Sequence, residues 1–540
     1  MRISTERWVL AATILGSSMV FIDGTVVNVA LPAIQQAFDA TVGDLQWVVE
    51  SYALLLAALI LVGGALGDKV GRRRIFVAGL VLFAGASLWC GLSPSVEQLI
   101  LARAVQGIGG ALLAPASLAI IAAEFPDEEA RGKAIGTWSG FTAITTAIGP
   151  LLGGWLVDNA SWRWAFLINL PIALVVGWIT LRHVPESRDR RAGAVDWPGG
   201  TLAALALGAL VYGLVTAGER GFARPEVVVA LLAAGIAGAA FVWREKSAHA
   251  PMVPFGLFRS RNFSGANALT LLLYGALYGI LFFFPLVFIQ VHGYSATAAG
   301  AAIVPFAALL FLLSRWAGGL VGKVGPRLPL VVGPSITGVG FFLFSLPGLG
   351  GSYWTTFFPA VLLVGIGMGV TVAPLTTTVM TSVEERHAGL ASGINNAVSR
   401  VAAVLAIAVL GAIAAASFGP ALQERIAPLD LPPAAAAQIR AQENRLAEIE
   451  VPQTLQPATQ AQVEEAIDRS FVGAFRIVCW ICAGLAFGSA AFAGLILEKR
   501  RRRGRENLLA TCRSAEALAV HPAAPKRHPA YAGKLSRTEH

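Results

Sequence analysis

Charge is scarce in this chain. Asp, Glu, Lys and Arg together make up 14% of its 540 residues, against about 25% in an ordinary soluble domain. A water-soluble fold of this length needs more polar surface than that to cover its core. A soluble enzyme and a nucleic-acid-binding module are therefore excluded. Cysteine is scarce as well: the four present, Cys90, Cys479, Cys482 and Cys512, do not make the disulfide framework of a secreted scaffold. Cys479 and Cys482 form a CxxC, yet they lie inside an apolar run without a βαβ context, which favours helix packing over redox or metal chemistry. The seven histidines are scattered, so a membrane-embedded metalloenzyme lacks clustered ligands. A GxxxxGK[ST] loop is missing too, which argues against an ATP-driven pump. No cleavable signal peptide is evident, because the first apolar run is too long and follows Arg2 and Arg7, as suits a cytoplasmic N-terminus.

What is abundant is apolar sequence, at 56% of the chain. At about 20 residues per bilayer crossing this fills roughly fourteen spans. Apolar runs bounded by charge or Pro/Gly clusters fall at 8–31, 46–67, 74–93, 97–123, 133–157, 164–182 and 197–217. The remaining runs are 226–243, 263–290, 297–321, 328–346, 354–381, 389–416 and 471–497. The sequence thus predicts an all-α, polytopic membrane protein.

Basic residues test the count through the positive-inside rule. Alternate connections carry Lys69 with Arg72, Arg73 and Arg74, then Arg131 with Lys133, then Arg182, Arg188, Arg190 and Arg191. They continue with Arg244, Lys246, Arg259 and Arg261, then Lys323 with Arg327, then Arg386. The opposite short loops hold only Arg163, Arg220 and Arg224. The alternation predicts both termini in the cytoplasm. It also assigns the net charge of +9 to topology rather than to a nucleic-acid partner, the cluster Lys499–Arg503 in the basic tail 498–540 included. Segment 417–470 falls outside the cell on this count and contains an expected short amphipathic helix near 434–450.

An internal repeat organises the spans. Gly64-Ala65-Leu66-Gly67-Asp68-Lys69-Val70-Gly71-Arg72-Arg73 returns as Gly318-Gly319-Leu320-Val321-Gly322-Lys323-Val324-Gly325-Pro326-Arg327, with Gly322 in the place of Asp68. Gly132, Ala134 and Gly136 are matched in the same way by Gly389, Ala391 and Gly393. The offset relates a bundle at 8–182, after a cytoplasmic segment 1–7, to a second at 263–497, and leaves 183–262 as an insert of two helices. Two parallel six-helix halves are the plan of a secondary transporter with its site between them.

Several residues carry chemistry that such a transporter needs. Asp23, in Phe21-Ile22-Asp23-Gly24-Thr25-Val26-Val27-Asn28, lies deep in the first span, where a charge costs several kcal/mol. It is either a functional acid or a protonated one used as helix glue. Arg103 lies in the fourth span, and both sit roughly 12 Å from the outer surface at 1.5 Å per residue, which makes them candidate partners. Glu50, in the second span, is either a second titrating acid or an interfacial carboxylate. Gly149-Pro150 with Gly153 and Gly154 frees a bend in the fifth span and permits close helix approach. Thr25, Asn28, Gln106, Tyr274, Tyr278, Asn395 and Arg400 are candidates for lining a substrate cavity; for the two tyrosines, four residues apart on one face, core packing is the competing reading.

Together these segments resemble the major facilitator superfamily, and within it the fourteen-helix drug–proton antiporters. Gly64, Asp68, Gly71 and Arg72 look like its loop 2–3 signature, the Arg103 segment like its helix 4 signature, and Gly149-Pro150 with Gly153-Gly154 like its antiporter signature. The Asp23-to-Pro32 string and Trp162-Arg163-Trp164-Ala165-Phe166-Leu167-Ile168-Asn169 are similar to the fourteen-helix branch in particular. Thr145 stands where that family usually has glycine, and Glu50 where it is often uncharged. The resemblance implies proton coupling through Asp23 and Arg103, with Asp68 bracing the N-terminus of helix 13 near Gly389. It implies a multi-pass exporter of lipophilic, including cationic, molecules in the cell membrane, or a same-fold exporter of one metabolite. No cofactor is expected; the partners are a small-molecule substrate, protons and the lipid bilayer, and the working unit is a monomer.

Overall fold

The structure is a computed structural model that describes residues 2–125, 127–188, 195–248, 251–383 and 388–497. The basic tail 498–540 and Arg386 lie outside the described residues. Among the described residues there are helices and no strands. The long helices are α1 (Arg2–Phe38), α2 (Val42–Val70), α3 (Arg72–Leu92), α4 (Val96–Glu124) and α5 (Glu128–Asn159). Next come α6 (Trp164–His183, after a break at Ile168), α7 (Trp197–Arg220), α8 (Pro225–Ser247) and α9 (Arg261–Leu286). The series ends with α10 (Ala296–Ala317), α11 (Arg327–Leu343), α12 (Phe358–Thr381), α13 (Ala388–Ile426) and α14 (Pro457–Ile496). Twelve helices among the described residues are long and apolar enough to cross a membrane. The helices α5, of 32 residues, and α11, of 17, stand outside that twelve, and with them the fold is compatible with the fourteen spans expected.

Short polar caps start the helices. Thr41 and Asp44 form a capping box at α2, and Ser95, Asp127, Asp196, Ser260 and Ser295 each accept an amide of the first turn of α4, α5, α7, α9 and α10. Alternating helix directions put the basic connections at one end of the bundle, the basic face, and the connections after α1, α3 and α5 at the opposite face.

Two groups of helices pack around separate seams. In the first, α2 and α3 lie on α4, while α1 lies on α5 and α6. In the second, α9 lies on α13 and α14, and α12 on α10 and α11. The groups meet where α5 runs along α10 and α2 along α13. The pair α7 and α8 stands beside this junction, with α7 against both α2 and α13.

Two boundaries differ from those read in sequence. Helix α13 continues ten residues past 416 to Ile426, and α14 begins at Pro457 rather than near 471. Apolar composition ends with the bilayer, but Ala, Leu, Gln, Glu and Arg keep helix propensity beyond it. The segment between shortens to 427–456, which holds helices Pro433–Ala441 and Glu443–Glu448 within the expected 434–450 region. Cys479 and Cys482 are buried in α14 as free thiols.

Candidate functional site

Five helices of the first group converge on Asp23. Its side chain is 0% exposed, and that of Arg103 is 1% exposed. Arg103 Nη1 donates to Asp23 Oδ2. Oδ1 accepts from Gln106 Nε2 at 2.8 Å and from Asn169 Nδ2 at 3.2 Å. The surrounding groups hold the donors in place. Arg103 Nε donates to Val48 O at 3.1 Å and Nη1 to Gln106 Oε1 at 2.8 Å. Ser87 Oγ accepts from Asn169 at 2.9 Å and donates to Phe166 O at 2.9 Å. The guanidinium also lies 4.2 Å over the Tyr52 ring, a cation–π contact that suits a buried cation. An apolar shell thus carries a buried ion pair whose two members are further hydrogen-bonded to Val48, Gln106 and Asn169. Removing one partner of such a pair costs about 3–5 kcal/mol, because the other charge is left buried alone.

Gln106, assigned by sequence to the cavity, belongs to this cluster. Asn169 and Ser87 were not singled out as site residues; the available signal was an amide and a hydroxyl inside apolar runs. Glu50 is 0% exposed and both its carboxylate oxygens are buried without a hydrogen-bond partner. It lies one turn from Gln46, which donates to Ile407 O of α13 at 2.7 Å, and from Trp47 and Leu54, which pack with Val211 and Val215 of α7 and Val404 and Ala408 of α13.

The remaining candidates fall at or near the junction of the groups. Arg400 of α13 holds its guanidinium 5.7 Å from the Phe21 ring of α1. Asn395 Nδ2 donates to Asn267 Oδ1 at 3.1 Å and to Thr270 Oγ1 at 2.7 Å, tying α13 to α9. Tyr274 and Tyr278 pack with ring centroids 6.3 Å apart. Asn28 is half-buried. Thr25 turns its hydroxyl back to Phe21 O and Ile22 O, and a Cβ on Gly149 would come within 2.0 Å of it, so Thr25 packs in the α1–α5 seam.

The glycines of α5 sit where backbones touch. A Cβ on Gly154 would stand 2.2 Å from Ala296 O of α10, and one on Gly300 of α10 would stand 2.1 Å from Pro150 O. Gly153 faces Val26 of α1 in the same way. On α2 the close approach falls at Gly63, whose Cβ would lie 2.1 Å from Ala111 O, rather than at Gly64.

At the basic face, Gly71 takes φ +134 between α2 and α3, a conformation open to glycine. Glu186 accepts the amides of Arg73 and Arg74 at 3.1 and 3.2 Å, a carboxylate at the N-terminus of α3. Asp68 accepts from Arg72 Nε at 2.9 Å, one turn along the chain. A carboxylate at a helix N-terminus between the two groups occurs at the opposite face. Asp158, at the end of α5, accepts the amides of Ala296 and Thr297 at 3.1 and 2.8 Å and the Thr297 hydroxyl at 2.5 Å, at the N-terminus of α10. Beside it Gln290 donates to Gln35 Oε1 at 2.8 Å, Gln35 donates to Arg445 O at 3.1 Å, and Arg445 pairs with Asp39. These contacts hold the two helix groups together at the opposite face.

Comparison with known proteins agrees with this architecture. Residues 13–407 match the profile of the Major Facilitator Superfamily. The chain is 37% identical over 427 residues to the Multidrug resistance protein Stp of Mycobacterium tuberculosis (strain CDC 1551 / Oshkosh), covering 78% of each. It is 32% identical over 494 residues to the Tetracenomycin C resistance and export protein of Streptomyces glaucescens, covering 90% of each. A solved bacterial homologue of the human lysosomal transporter Spinster, in an inward-facing and unoccupied conformation, shares the fold with a TM-score of 0.63 at 20% identity. That match covers 92% of this chain and 99% of the other. With its helical seams, paired halves and match over most of its length, the chain belongs to the major facilitator superfamily of membrane transporters.

Proposed function

We propose that this protein is a proton-coupled antiporter that exports lipophilic, including cationic, small molecules across the cell membrane by alternating access. The observation that carries the proposal is the fully buried Asp23 carboxylate, held by Arg103, Gln106 and Asn169 in mid-span. An intramembrane acid with a built partner set marks a proton path by default. The names of the relatives, a multidrug resistance protein and a resistance and export protein, support the direction and the substrate class. In this reading the basic face is cytoplasmic, both termini lie there, and the bundle works as a monomer without a cofactor.

The cycle follows from the contacts. In this reading the Asp158 and Gln35–Arg445 contacts shut the outer face and support a state closed to the outside. In this state Arg103 faces the Asp23 carboxyl group. Parting the outer contacts lets water reach Asp23, which accepts a proton as Arg103 swings to its carbonyl and Gln106 partners. Substrate leaves from the space between the groups, where Asn28, Tyr274, Tyr278, Asn395 and Arg400 offer aromatic and polar faces. Asp68 then serves the alternate state by bracing the cytoplasmic side, and Glu50, buried with unpaired oxygens at the α2–α7–α13 junction, is a second acid available to the proton.

A second reading, export of one self-made or toxic metabolite, is favoured by the relative named for a single compound. Everted vesicles separate the two. A preset proton gradient should be released by many dyes and lipophilic cations on the first reading and by one compound class on the second; release by none contradicts both.

A further inference from the structure

The inserted helices carry a polar cluster that the transport cycle does not use. Asp196 caps α7 by accepting the Gly199 amide at 3.1 Å, and the same oxygen, Oδ1, accepts Arg244 Nη2 at 3.1 Å and Nε at 3.3 Å. The next residue of α8, Glu245, lies just beyond the apolar run 226–243 and accepts the Val253 amide at 2.9 Å through Oε2. Both acids are more than nine-tenths buried, at 7% and 2% exposure. Their second oxygens, Asp196 Oδ2 and Glu245 Oε1, have no hydrogen-bond partner. The two oxygens border one gap, since a Cβ on Gly199 would stand 2.7 Å from Asp196 Oδ2 and 3.0 Å from Glu245 Oε1.

The charges in this pocket do not balance as two carboxylates. Among the described residues one guanidinium, Arg244, pairs with these acids, through Asp196. Lys246 is exposed, and the atoms nearest a Cβ on the adjoining Gly200 belong to Val62 and Leu59 of α2. With both acids ionised, the described residues of the cluster bury one uncompensated negative charge and two unpaired acceptors, each costly. A single cation resolves all three. A metal ion suits the site poorly, because Arg244 already donates to the same carboxylate and no third His, Cys, Asp or Glu joins the pair among the described residues. A proton suits it well. Asp196 accepts from a guanidinium and a helix N-terminus, whereas Glu245 accepts a backbone amide and no side-chain donor.

We propose that Asp196 and Glu245 form a second proton-binding site, in which Glu245 is held as the carboxylic acid with its Oε1 proton directed to Asp196 Oδ2 across the gap at Gly199. The bound proton clasps three pieces together: the start of α7, the end of α8 and the segment 251–254 that leads into α9. This site is remote in sequence from Asp23 and stands whether or not the chain exports drugs.

Infrared difference spectroscopy on the full chain in lipid nanodiscs tests it, in a Glu50→Gln background that removes another buried acid. At neutral pH the background protein should show a deuteration-sensitive carboxylic-acid carbonyl band, and adding Glu245→Gln should remove one acid equivalent from it. Corrected for the intrinsic rise of exchange with pH, protection of the Met252 and Val253 amides should fall at alkaline pH in the background protein and stay constant with Gln at 245, whose amide mimics the protonated acid. Should the Gln variant fail to fold, Glu245→Asp keeps an acid at altered distance and should shift the band. An acid band unchanged by either substitution overturns the proposal. So does a rise in melting temperature with sodium or calcium chloride over choline chloride that Glu245→Gln abolishes, since that assigns the site to a metal cation.

Discussion

Replacing Asp158 by Asn should open the face opposite the basic loops, the outer face in the proposed orientation. Asp158 receives two backbone amides and one hydroxyl at the N-terminus of α10, with distances of 2.5 to 3.1 Å. A carboxylate at a helix N-terminus contributes about 0.3–1 kcal/mol when exposed and up to about 2 when partly buried, and Asp158 lies at the mouth of the α5–α10 seam. Asp158 is exposed, and Asn keeps one acceptor oxygen while losing the charge and one lone-pair set, so the loss is about 0.3–1 kcal/mol. That loss falls on the state with the outer face shut, because parting α5 from α10 breaks these bonds. A loss of up to about 1 kcal/mol shifts a two-state population by up to roughly fivefold. The assay is thiol labelling of a single cysteine introduced at Val157, compared with and without Asp158→Asn in intact cells. Labelling should rise by the same factor in the Asn variant. An unchanged labelling rate with normal folding refutes the idea that this carboxylate latches the two groups.

Other consequences follow from named contacts. Gly154→Val should do the same more severely, because its Cβ would stand 2.2 Å from Ala296 O; outer-face labelling should then become insensitive to substrate, and retained switching contradicts the close-packing argument. Asp68→Asn should act in the other direction, lowering outer accessibility and slowing transport, and normal values for both would reduce the loop to a topology signal. Arg103→Ala should cost about 3–5 kcal/mol of stability or force Asp23 neutral, read as a fall in melting temperature that is smaller when Asp23→Asn is added. Equal falls in the single and double variants would show that the two residues are not coupled.

The sequence made the membrane class legible because fourteen apolar runs and one-sided basic loops are hard to arrange otherwise. Asp23 and Arg103 stood out for a related reason: a charge inside an apolar run is costly, and equal depth leaves few partners. Their neighbours were harder to read. Gln106 and Asn169 are neutral, so burial of either is unremarkable until the other atoms of the cluster are in place. Gln35, Asp39, Asp158 and Arg445 sit at helix ends, where polar residues are ordinary, and only the meeting of distant segments makes them a latch. Helix lengths beyond 416 and before 471 were missed because hydropathy reports the bilayer and not the helix. Gly63 and Gly64 are adjacent and alike in sequence; which one touches α4 depends on the rotation of α2.

The central claim is that Asp23 couples substrate export to proton movement. Its most direct test is drug-induced proton release in everted membrane vesicles, with wild type and Asp23→Asn expressed at equal levels. The account predicts that substrates release a preset gradient through the wild type and not through the Asn variant, while substrate binding to the purified variant survives. Undiminished drug-dependent proton release by Asp23→Asn would contradict it.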